Sequence, residues 1–296
     1  MLKAIIDLGT NTFNLIIAKV ESDGFELIYS EKDGVALGMG GINERFISKD
    51  ALRRAQNAIV KFKRIIDLHQ VEIVKAFGTS AIRDARNAHE LINFIQNNAG
   101  IAVEVIDGKR EAELIFSGVS MTHELSSSGM IMDIGGGSTE FVAYKNFNIV
   151  DLVSLNIGVS RIYQQMELND PLSQDQVLWI ENFLERESQG FFKGRKETEL
   201  IGASGTFETF YELIEKKNFP DCQSAIELNI PKVKASLKEI MFSSMKDRDR
   251  NSWIIPIRKK MAPIAAVKTN WVLSKLPIEK LYVSPFSLKE GALFEL

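Results

Sequence analysis

The chain has 296 residues, of which 45% are hydrophobic and 25% charged, and its formal net charge is −3. These values predict two globular domains and argue against general nucleic-acid binding, for which a basic surface is expected. The single cysteine, Cys222, excludes an intrachain disulfide, and neither a leader segment nor an apolar run of about 18 residues is present, so we expect a soluble cytoplasmic protein that does not contact a membrane.

The first part of the chain predicts strands that are followed by alternating helices and strands. Apolar runs flanked by turn residues mark a strand ending at Asp7 and further strands at 13–20, 25–30, 71–77 and 101–106. Apolar residues at helical spacing mark helices at 51–68, 87–97 and 110–121. Asp50 is the expected N-cap of the first helix, and a turn is expected at 21–24.

The second part opens in the same way as the first. Strands are predicted at 130–134, 140–145, 148–156, from Leu200 to the small-residue loop at 202–206, and at 280–284. Helices are predicted at 159–168, 174–192, from that loop through Glu215, at 231–245, at 259–275 and after Pro285. The repeated opening indicates an internal duplication, and the polar stretch 123–129 is the expected domain boundary.

Two loops carry the same pattern, an apolar strand that ends in aspartate and is followed by glycine and hydroxyl residues. The first runs from Asp7 through Gly9, Thr10 and Asn11, and the second follows Asp133. Backbone N–H groups and hydroxyls of this kind suit phosphate oxygens, and the aspartates can hold a hydrated divalent cation. Two such loops predict two related domains with a phosphate compound between them.

The second loop is the more specific of the two. It contains the run Gly135-Gly136-Gly137-Ser138, and Glu140 follows in the same hairpin, where it could lean toward Asp133 around a cation. Consecutive glycines contribute nothing to a core, so close approach of a ligand explains them better than packing does. The plainer alternative is a tight hairpin with a solvated aspartate.

A third phosphate-binding candidate lies before the helix that ends at Glu215. Ser204, Gly205 and Thr206 join a strand to a helix, where N–H groups and the helix dipole favour an anion. The pattern is neither a Walker A loop nor G-x-G-x-x-G. An ordinary N-cap role for Ser204 is the alternative.

Two further candidates are charged. Glu111 and Glu113 fall in the first turn of a helix, where either could act as a general base or simply complement the helix dipole, and the residues alone do not decide. Arg83 follows a strand end, where it could stabilise phosphate charge or form a surface ion pair. The three histidines are far apart, so zinc and cysteine chemistry are not expected.

The ordered set of motifs resembles the Ppx/GppA phosphatase family, in a short form. The resemblance rests on segments in chain order, at 6–13, 78–87, 105–115, 133–140 and 201–206. It implies two ribonuclease-H-like α/β domains of the actin, Hsp70 and sugar-kinase superfamily with a cleft between them. The implied domains are 1–124 and 125–286, with the helix at about 287–296 packing back onto the first.

The resemblance also implies a reaction and roles for residues. It implies hydrolysis of a terminal phosphoanhydride of inorganic polyphosphate, of guanosine pentaphosphate (pppGpp), or of both, with Mg²⁺ or another divalent cation. Glu111 matches the catalytic base, and Arg83, the second catalytic candidate, matches one of the family's phosphate-binding groups. Asp7, Asp133 and Glu140 match the metal and water-positioning carboxylates, and the three loops match the phosphate site: Gly9, Thr10, Asn11, Gly135, Gly136, Gly137, Ser138, Ser204, Gly205 and Thr206.

The chain departs from the family pattern in places. Arg110 stands where a second acidic residue is common, and the segments 258–263 and 284–291 keep only part of their usual motifs. Longer members continue into a helical region, so a weaker processive grip on long chains is expected, and a homodimer is the expected assembly. The alternative functions are a small-molecule kinase of the same superfamily and a non-catalytic sensor of a phosphate ligand.

Overall fold

A computed structural model describes residues 1–21 and 24–295, so the turn predicted at 21–24 lies partly outside the described residues, as does the last residue of the predicted C-terminal helix. The first sheet contains five strands in the order β3-β2-β1-β4-β5. They are β1 (Leu2–Leu8), β2 (Phe13–Glu21), β3 (Gly24–Asp33), β4 (Ile73–Gly78) and β5 (Val103–Val105). The first three are antiparallel, and β4 and β5 continue the sheet in parallel.

Four helices accompany this sheet. They are α1 (Lys49–Leu68), α2 (Ser80–Asp84), α3 (Ala88–Ala99) and α4 (Gly108–Ser120). The predicted N-cap of the first helix was wrong, because the Ser48 hydroxyl accepts the N–H of Ala51 and Asp50 lies inside the first turn. Serine and aspartate cap equally well, so local sequence did not separate them. The short helix α2 was not predicted.

The second sheet repeats the arrangement of the first and adds one strand. Its order is β10-β11-β9-β6-β7-β8. The strands are β6 (Ser128–Ile134), β7 (Thr139–Lys145), β8 (Asn148–Leu155), β9 (Glu199–Ala203), β10 (Ile226–Leu228) and β11 (Lys280–Val283). An antiparallel β8-β7-β6 meander is again continued by two parallel strands. The predicted fold class, two ribonuclease-H-like α/β units, is confirmed.

In the second part of the chain, the residues that the structure describes form eight helices and a final 3-10 turn (Ala292–Glu295). The helices are α5 (Val159–Tyr163), α6 (Gln174–Glu187), α7 (Ser204–Glu215), α8 (Ile230–Met241), α9 (Met245–Arg250), α10 (Pro256–Lys259), α11 (Ala262–Lys275) and α12 (Leu288–Gly291).

Several helices in this part are shorter than the sequence predicted. The helices expected at 159–168 and 174–192 end at Tyr163 and Glu187. The one expected at 231–245 ends early because Ser244 caps a new helix through a capping box with Asp247. The one expected at 259–275 is divided, and Pro263 lies in the first turn of the second piece, where its missing N–H costs nothing.

The apolar core has three parts, one under each sheet and one shared between the two units. The shared part contains Ile5 from β1, Ile131 from β6, Leu114 from α4 and Leu288 with Leu293 from the C-terminal segment. Helix α4 therefore packs between the sheets, and residues from the end of the chain pack beside it. This arrangement holds the two strand-end loops on facing sides of one cleft.

Helix α4 meets the C-terminal segment through two glycines. A Cβ on Gly118 would lie 2.0 Å from the carbonyl oxygen of Ser287, and one on Gly291 would lie 2.0 Å from that of Leu114. Only glycine allows backbones to come this close. The helix that carries Glu111 is thereby seated against the segment that carries Ser287.

Candidate active site

A cavity of about 170 Å³ lies between the carboxyl ends of the central strands of both sheets. Strand ends of this kind are where α/β sheets present ligand groups. Fourteen of the fifteen residues predicted for the site line it: Asp7, Gly9, Thr10, Asn11, Glu111, Asp133, Gly135, Gly136, Gly137, Ser138, Glu140, Ser204, Gly205 and Thr206. The exception is Arg83, which lies behind the cavity wall.

Glu111 and Glu113 have different surroundings. Glu111 is buried in the first turn of α4, and its Oε2 accepts a hydrogen bond of 2.8 Å from Arg83 Nη1. Glu113 is half-exposed and faces Lys109 and Arg110 at 3.8 Å. Asp107, not either glutamate, caps the helix by accepting the N–H of Arg110. The solvated role therefore fits Glu113, and the cavity-facing role fits Glu111.

Arg83 serves Glu111 more directly than it serves the cavity. The same Nη1 also donates to the carbonyl of Ile106 at 3.1 Å, so the guanidinium spans the end of β5 and the first turn of α4. Burial raises the pKa of Glu111 well above its usual range and Glu140 adds to this, while Arg83 opposes both. A carboxylate with raised proton affinity is suited to accept a proton near neutral pH.

The two aspartates at the strand ends have matching positions and different partners. Asp7 stands opposite Asn14 in the first hairpin, and Asn14 Nδ2 donates to Asp7 Oδ2 at 3.0 Å. Asp133 stands opposite Glu140 in the second hairpin. The same strand position therefore holds an amide in one unit and a carboxylate in the other, which concentrates negative charge in the second unit.

Serine hydroxyl groups donate hydrogen bonds to the carboxylates of Asp133 and Glu140. Ser204 Oγ donates to Asp133 Oδ1 and Ser287 Oγ to Asp133 Oδ2, each at 2.7 Å. Ser154 Oγ donates to Glu140 Oε1 at 2.7 Å. The N-cap alternative for Ser204 was wrong, because Ala203 occupies the cap position and Ser204 has a positive φ of 65°.

Hydrogen bonds from the start of α5 fix the orientation of the peptide groups in the glycine run, residues 135–137. The carbonyls of Gly135, Gly136 and Gly137 accept N–H groups from residues 158–160 at 2.8–3.2 Å. Because the C=O and N–H of a trans peptide point in opposite directions, the N–H groups of residues 136–138 face away from α5. They are thus available to an anion in the cavity that the loop lines.

The glycines also permit contact between the two loops, which the sequence did not predict. A Cβ on Gly136 would lie 2.7 Å from the Asn11 side chain, and one on Gly137 would lie 2.4 Å from Ser80 Oγ and 2.7 Å from Thr10 Oγ1. Close approach of protein groups, as well as of a ligand, therefore requires glycine here. The cleft is closed at this side by the loops themselves.

Arg161 extends this closure. Its Nε donates to the carbonyl of Gly137 at 2.7 Å, and its other nitrogens reach the carbonyl of Ile42 and the side chains of Ser80 and Asp84 in the first unit. The residue is 9% exposed. One buried guanidinium from the second unit thus joins the glycine run to two elements of the first.

The predicted metal residues share the cavity without forming a ready-made metal centre. Across residues 1–21 and 24–295, no group of three or more His, Cys, Asp or Glu side chains is placed to hold a metal ion. Burial, with a smaller contribution from the charge of Asp133, raises the pKa of Asp7 to about 6 and that of Glu140 to about 7. Such mutual repulsion among buried carboxylates is the environment that a divalent cation relieves.

Several cavity residues were not among the predicted ones. Lys32, Glu208, Arg258, Ser287 and Lys289 all line the wall. Arg258, Ser287 and Lys289 lie in the segments 258–263 and 284–291, which the sequence showed only as departures from a pattern. No local signal marked Lys32 or Glu208. Outside the wall, Lys268 is fully buried, and its Nζ donates to the carbonyl of Ile157 at 2.6 Å and to Thr139.

The metal-free protein is expected to lose stability as the pH rises from about 4 to about 7. The pKa of Asp7 and of Glu140 is higher in the folded protein than in the unfolded chain, so the folded state binds these protons more tightly. The contribution is complete below the unfolded pKa and is lost as the pH passes the folded pKa. Melting curves in chelator across this range measure it.

Two controls accompany that measurement. The double variant Asp7→Asn, Glu140→Gln should flatten the profile, because both titrating groups are gone. Mg²⁺ should raise the melting temperature more above pH 7 than below pH 5, where the carboxyls retain their protons. A melting temperature that climbs with pH in chelator would contradict the expectation.

No helix in the described part of the chain is both long enough and apolar enough to cross a membrane.

A family model described as "Ppx/GppA phosphatase family" matches residues 16–296. The bifunctional 3-dehydroquinate synthase/phosphatase of Fusobacterium nucleatum is 33% identical over 238 residues, which are 75% of this chain and 35% of that protein. The guanosine-5'-triphosphate,3'-diphosphate pyrophosphatase of Photobacterium profundum is 26% identical over 300 residues, which are 100% of this chain and 59% of that protein. The chain thus spans less than two thirds of the length of each of these relatives.

Among solved structures, the crystal structure of an exopolyphosphatase from Cytophaga hutchinsonii is similar along almost the whole chain. Its sequence identity is 35% and the TM-score is 0.95, with 99% of this chain and 97% of that chain covered.

Proposed function

Because the chain belongs to the Ppx/GppA phosphatase family, as its motifs predicted, we propose that it hydrolyses a terminal phosphoanhydride bond of inorganic polyphosphate, of guanosine pentaphosphate, or of both. Support comes from an exopolyphosphatase of nearly the same length and fold and from a related guanosine pentaphosphate pyrophosphatase. Both substrates end in the same phosphoanhydride linkage, so one site chemistry serves either.

The buried Glu111 carboxylate is the observation that carries this proposal. It lines the cavity, Arg83 holds it at 2.8 Å, and the glycine run forms another part of the same wall. A base, a phosphate cradle and further carboxylates in one cleft are the parts that phosphoanhydride hydrolysis needs. Among the described residues that line the cavity there is no cysteine or histidine, and the reaction proposed here is direct attack by water with Glu111 as its base.

In the proposed reaction, Glu111 accepts a proton from a water molecule while the oxygen of that water attacks the terminal phosphorus. A new P–O bond forms, and the bridging P–O bond breaks in line with it. The electron pair of that bond leaves on the shortened phosphate chain, and inorganic phosphate is released. Phosphoryl transfer of this kind depends mainly on positioning and charge stabilisation.

The loops hold the terminal phosphate in this proposal. The N–H groups of residues 136–138 face away from α5 and supply donors to its oxygens. The hydroxyls of Ser204 and Thr206 already donate to Asp133 and to the carbonyl of Ile134, so Thr10 is better placed to add a hydroxyl donor. Arg83 acts as a positioning residue for Glu111.

A divalent cation, with Mg²⁺ as the expected ion, is part of the proposal. Asp7, Asp133 and Glu140 would organise the ion and its water, with one or two of these carboxylates binding it directly and with water and substrate phosphates as its other ligands. The ion would neutralise charge on the phosphate oxygens. The repulsion among these buried carboxylates supports this assignment.

The domain boundaries and the location also remain proposals. The division into 1–124 and 125–286, with 287–296 returning to the first unit, is supported by Leu288 and Leu293, which pack in the shared core with Ile5. A cytoplasmic location rests on the single cysteine. The homodimer stays a prediction from the sequence.

Release of inorganic phosphate tests the function. The purified protein is given tripolyphosphate, long-chain polyphosphate or pppGpp, with Mg²⁺ or with chelator. We expect release from at least one substrate with Mg²⁺ and none with chelator. Tight binding without release would favour the sensor, and phosphate transfer to an added sugar or alcohol would favour the kinase.

A further inference from the structure

Four charged side chains from four separate elements meet at one side of the cavity. Lys32 comes from β3 in the first unit, and Glu208 from α7, Arg258 from α10 and Lys289 from α12 complete the group. We call these four residues the charged rim. Its members are far apart in the sequence, and the Lys32–Glu208 pair spans 176 positions.

The rim contains three cations and one carboxylate. Lys32 Nζ lies 3.5 Å from Glu208 Oε2, and the side chains are 40% and 25% exposed, so the pair stands at the mouth of the cavity. Lys289 has its own partner, because its Nζ lies 2.7 Å from Glu290 Oε1. Arg258 donates to the neutral Thr209 hydroxyl at 2.9 Å. Lys32 and Arg258 therefore depend on Glu208 for compensation within the rim.

The pKa of Glu208 also indicates that its carboxylate compensates the charges of the rim cations. Burial raises its pKa, but the charges of Lys32, Arg258 and Lys289 outweigh that effect, and the pKa lies below its usual range. Glu212, one turn further along α7, also faces Arg258 but does not line the cavity. Glu208 is thus an anion held among cations at the position where a phosphate chain would enter.

We infer that Glu208 is a built-in competitor for the substrate: its carboxylate pairs with Lys32 and offsets the charge of Arg258 in the free protein, and it gives way to the phosphates that follow the terminal one. The inference rests on the proposed function and specifies its substrate class as a linear phosphate chain. A phosphate oxygen cannot take the place beside Lys32 while the carboxylate holds it. The negative charges of the Glu208 carboxylate and of a phosphate bound near Lys32 would also repel each other.

A different role for Glu208 makes the opposite prediction. If the Lys32–Glu208 pair only held the two units together, removing either charge would weaken the closed cleft and loosen binding. If Glu208 competes, removing its charge tightens binding and removing that of Lys32 loosens it. The signs of the two effects therefore separate the two roles.

Equilibrium binding of inorganic tripolyphosphate tests the inference. It is measured by calorimetry on the Glu111→Gln background, so that the ligand is not consumed. Glu208→Gln should tighten binding by about tenfold, the size of one partly screened charge interaction, and Lys32→Gln should weaken it by a similar factor. Glu215→Gln is the matched control, because it makes the same charge change on an exposed part of α7 and should leave the affinity unchanged.

A second arm uses pppGpp, which carries the same phosphate chain on a nucleoside. The gain should appear with both ligands, and a gain with pppGpp alone would overturn the assignment to the phosphate chain. Unchanged or weaker tripolyphosphate binding in Glu208→Gln, with a melting curve like that of the parent, overturns the inference. Where that variant does not fold, the KM of Glu208→Ala on the otherwise unchanged chain must fall for the inference to stand.

Failure of this inference can be told apart from failure of the proposed function. Phosphate release by the unchanged protein together with unaltered affinity in Glu208→Gln rejects the competitor and keeps the hydrolase. If Glu208→Gln binds tripolyphosphate more tightly but the unchanged protein releases no phosphate, the competitor is kept and the hydrolase is rejected.

Discussion

Replacing Glu111 by glutamine should lower the rate of phosphate release by about 100- to 10,000-fold, the usual contribution of a general base. The amide keeps the shape of the side chain but cannot accept the proton of the attacking water. Substrate binding should change little, so the loss should appear in kcat and not in KM. Steady-state release of phosphate measures both.

Glu113→Gln is the matched control for that variant. It makes the same chemical change two positions along the same helix, on a half-exposed side chain that faces Lys109 and Arg110. Its rate should equal that of the unchanged protein. Full activity in Glu111→Gln, or equal losses in both variants, would remove Glu111 from the role of base.

Arg161→Met should both destabilise the protein and disturb the glycine run. It removes the nearer of two guanidinium partners from Asp84, which keeps only Arg83 Nε at 4.0 Å in a largely buried place, and a loss of about 3 kcal/mol in the free energy of unfolding is expected. It also frees the carbonyl of Gly137 on one side. A displacement of about 1 Å in a positioning loop can cost on the order of 100-fold in rate.

Urea denaturation and kcat together test the role of Arg161. Arg53→Met is the control, because Arg53 forms an exposed ion pair with Asp50 and its loss should cost little. Arg161→Lys retains the charge but has too few donors to reach all its partners, so it should recover stability better than rate. A stable Arg161→Met protein with unaltered kcat would show that the loop is positioned without this residue.

Local sequence was sufficient to predict those parts of the site that lie within a single hairpin. Each aspartate with its following glycines lies within one hairpin, so strand, turn and ligand groups are specified by neighbouring residues. Glu111 was harder, because its rival Glu113 has the same helical context and differs only in burial. The resemblance to a family, not the pattern of the helix, separated the two.

The charged rim could not be predicted in this way. Lys32 and Glu208 lie on different units, and their approach depends on how the two sheets are set against each other. The same holds for Arg161, because three of its four hydrogen-bond partners, Ile42, Ser80 and Asp84, come from the other unit. Contacts of this kind are decided by tertiary packing, whereas propensity and periodicity report on structure within a single element.

The seating of α4 against α12 has a consequence for the order in which the protein becomes active during its synthesis. Asp133 accepts a hydrogen bond from the hydroxyl of Ser287, and the two residues are 154 positions apart in the sequence. At about 5–20 residues per second, a ribosome needs roughly 8 to 30 s to pass from one to the other. Throughout that interval the nascent chain carries Glu111 on a helix whose packing partner does not yet exist. A truncated product that ends before Ser287 would therefore contain all fifteen predicted site residues and still lack the segment against which α4 packs and the Ser287 hydroxyl that donates to Asp133.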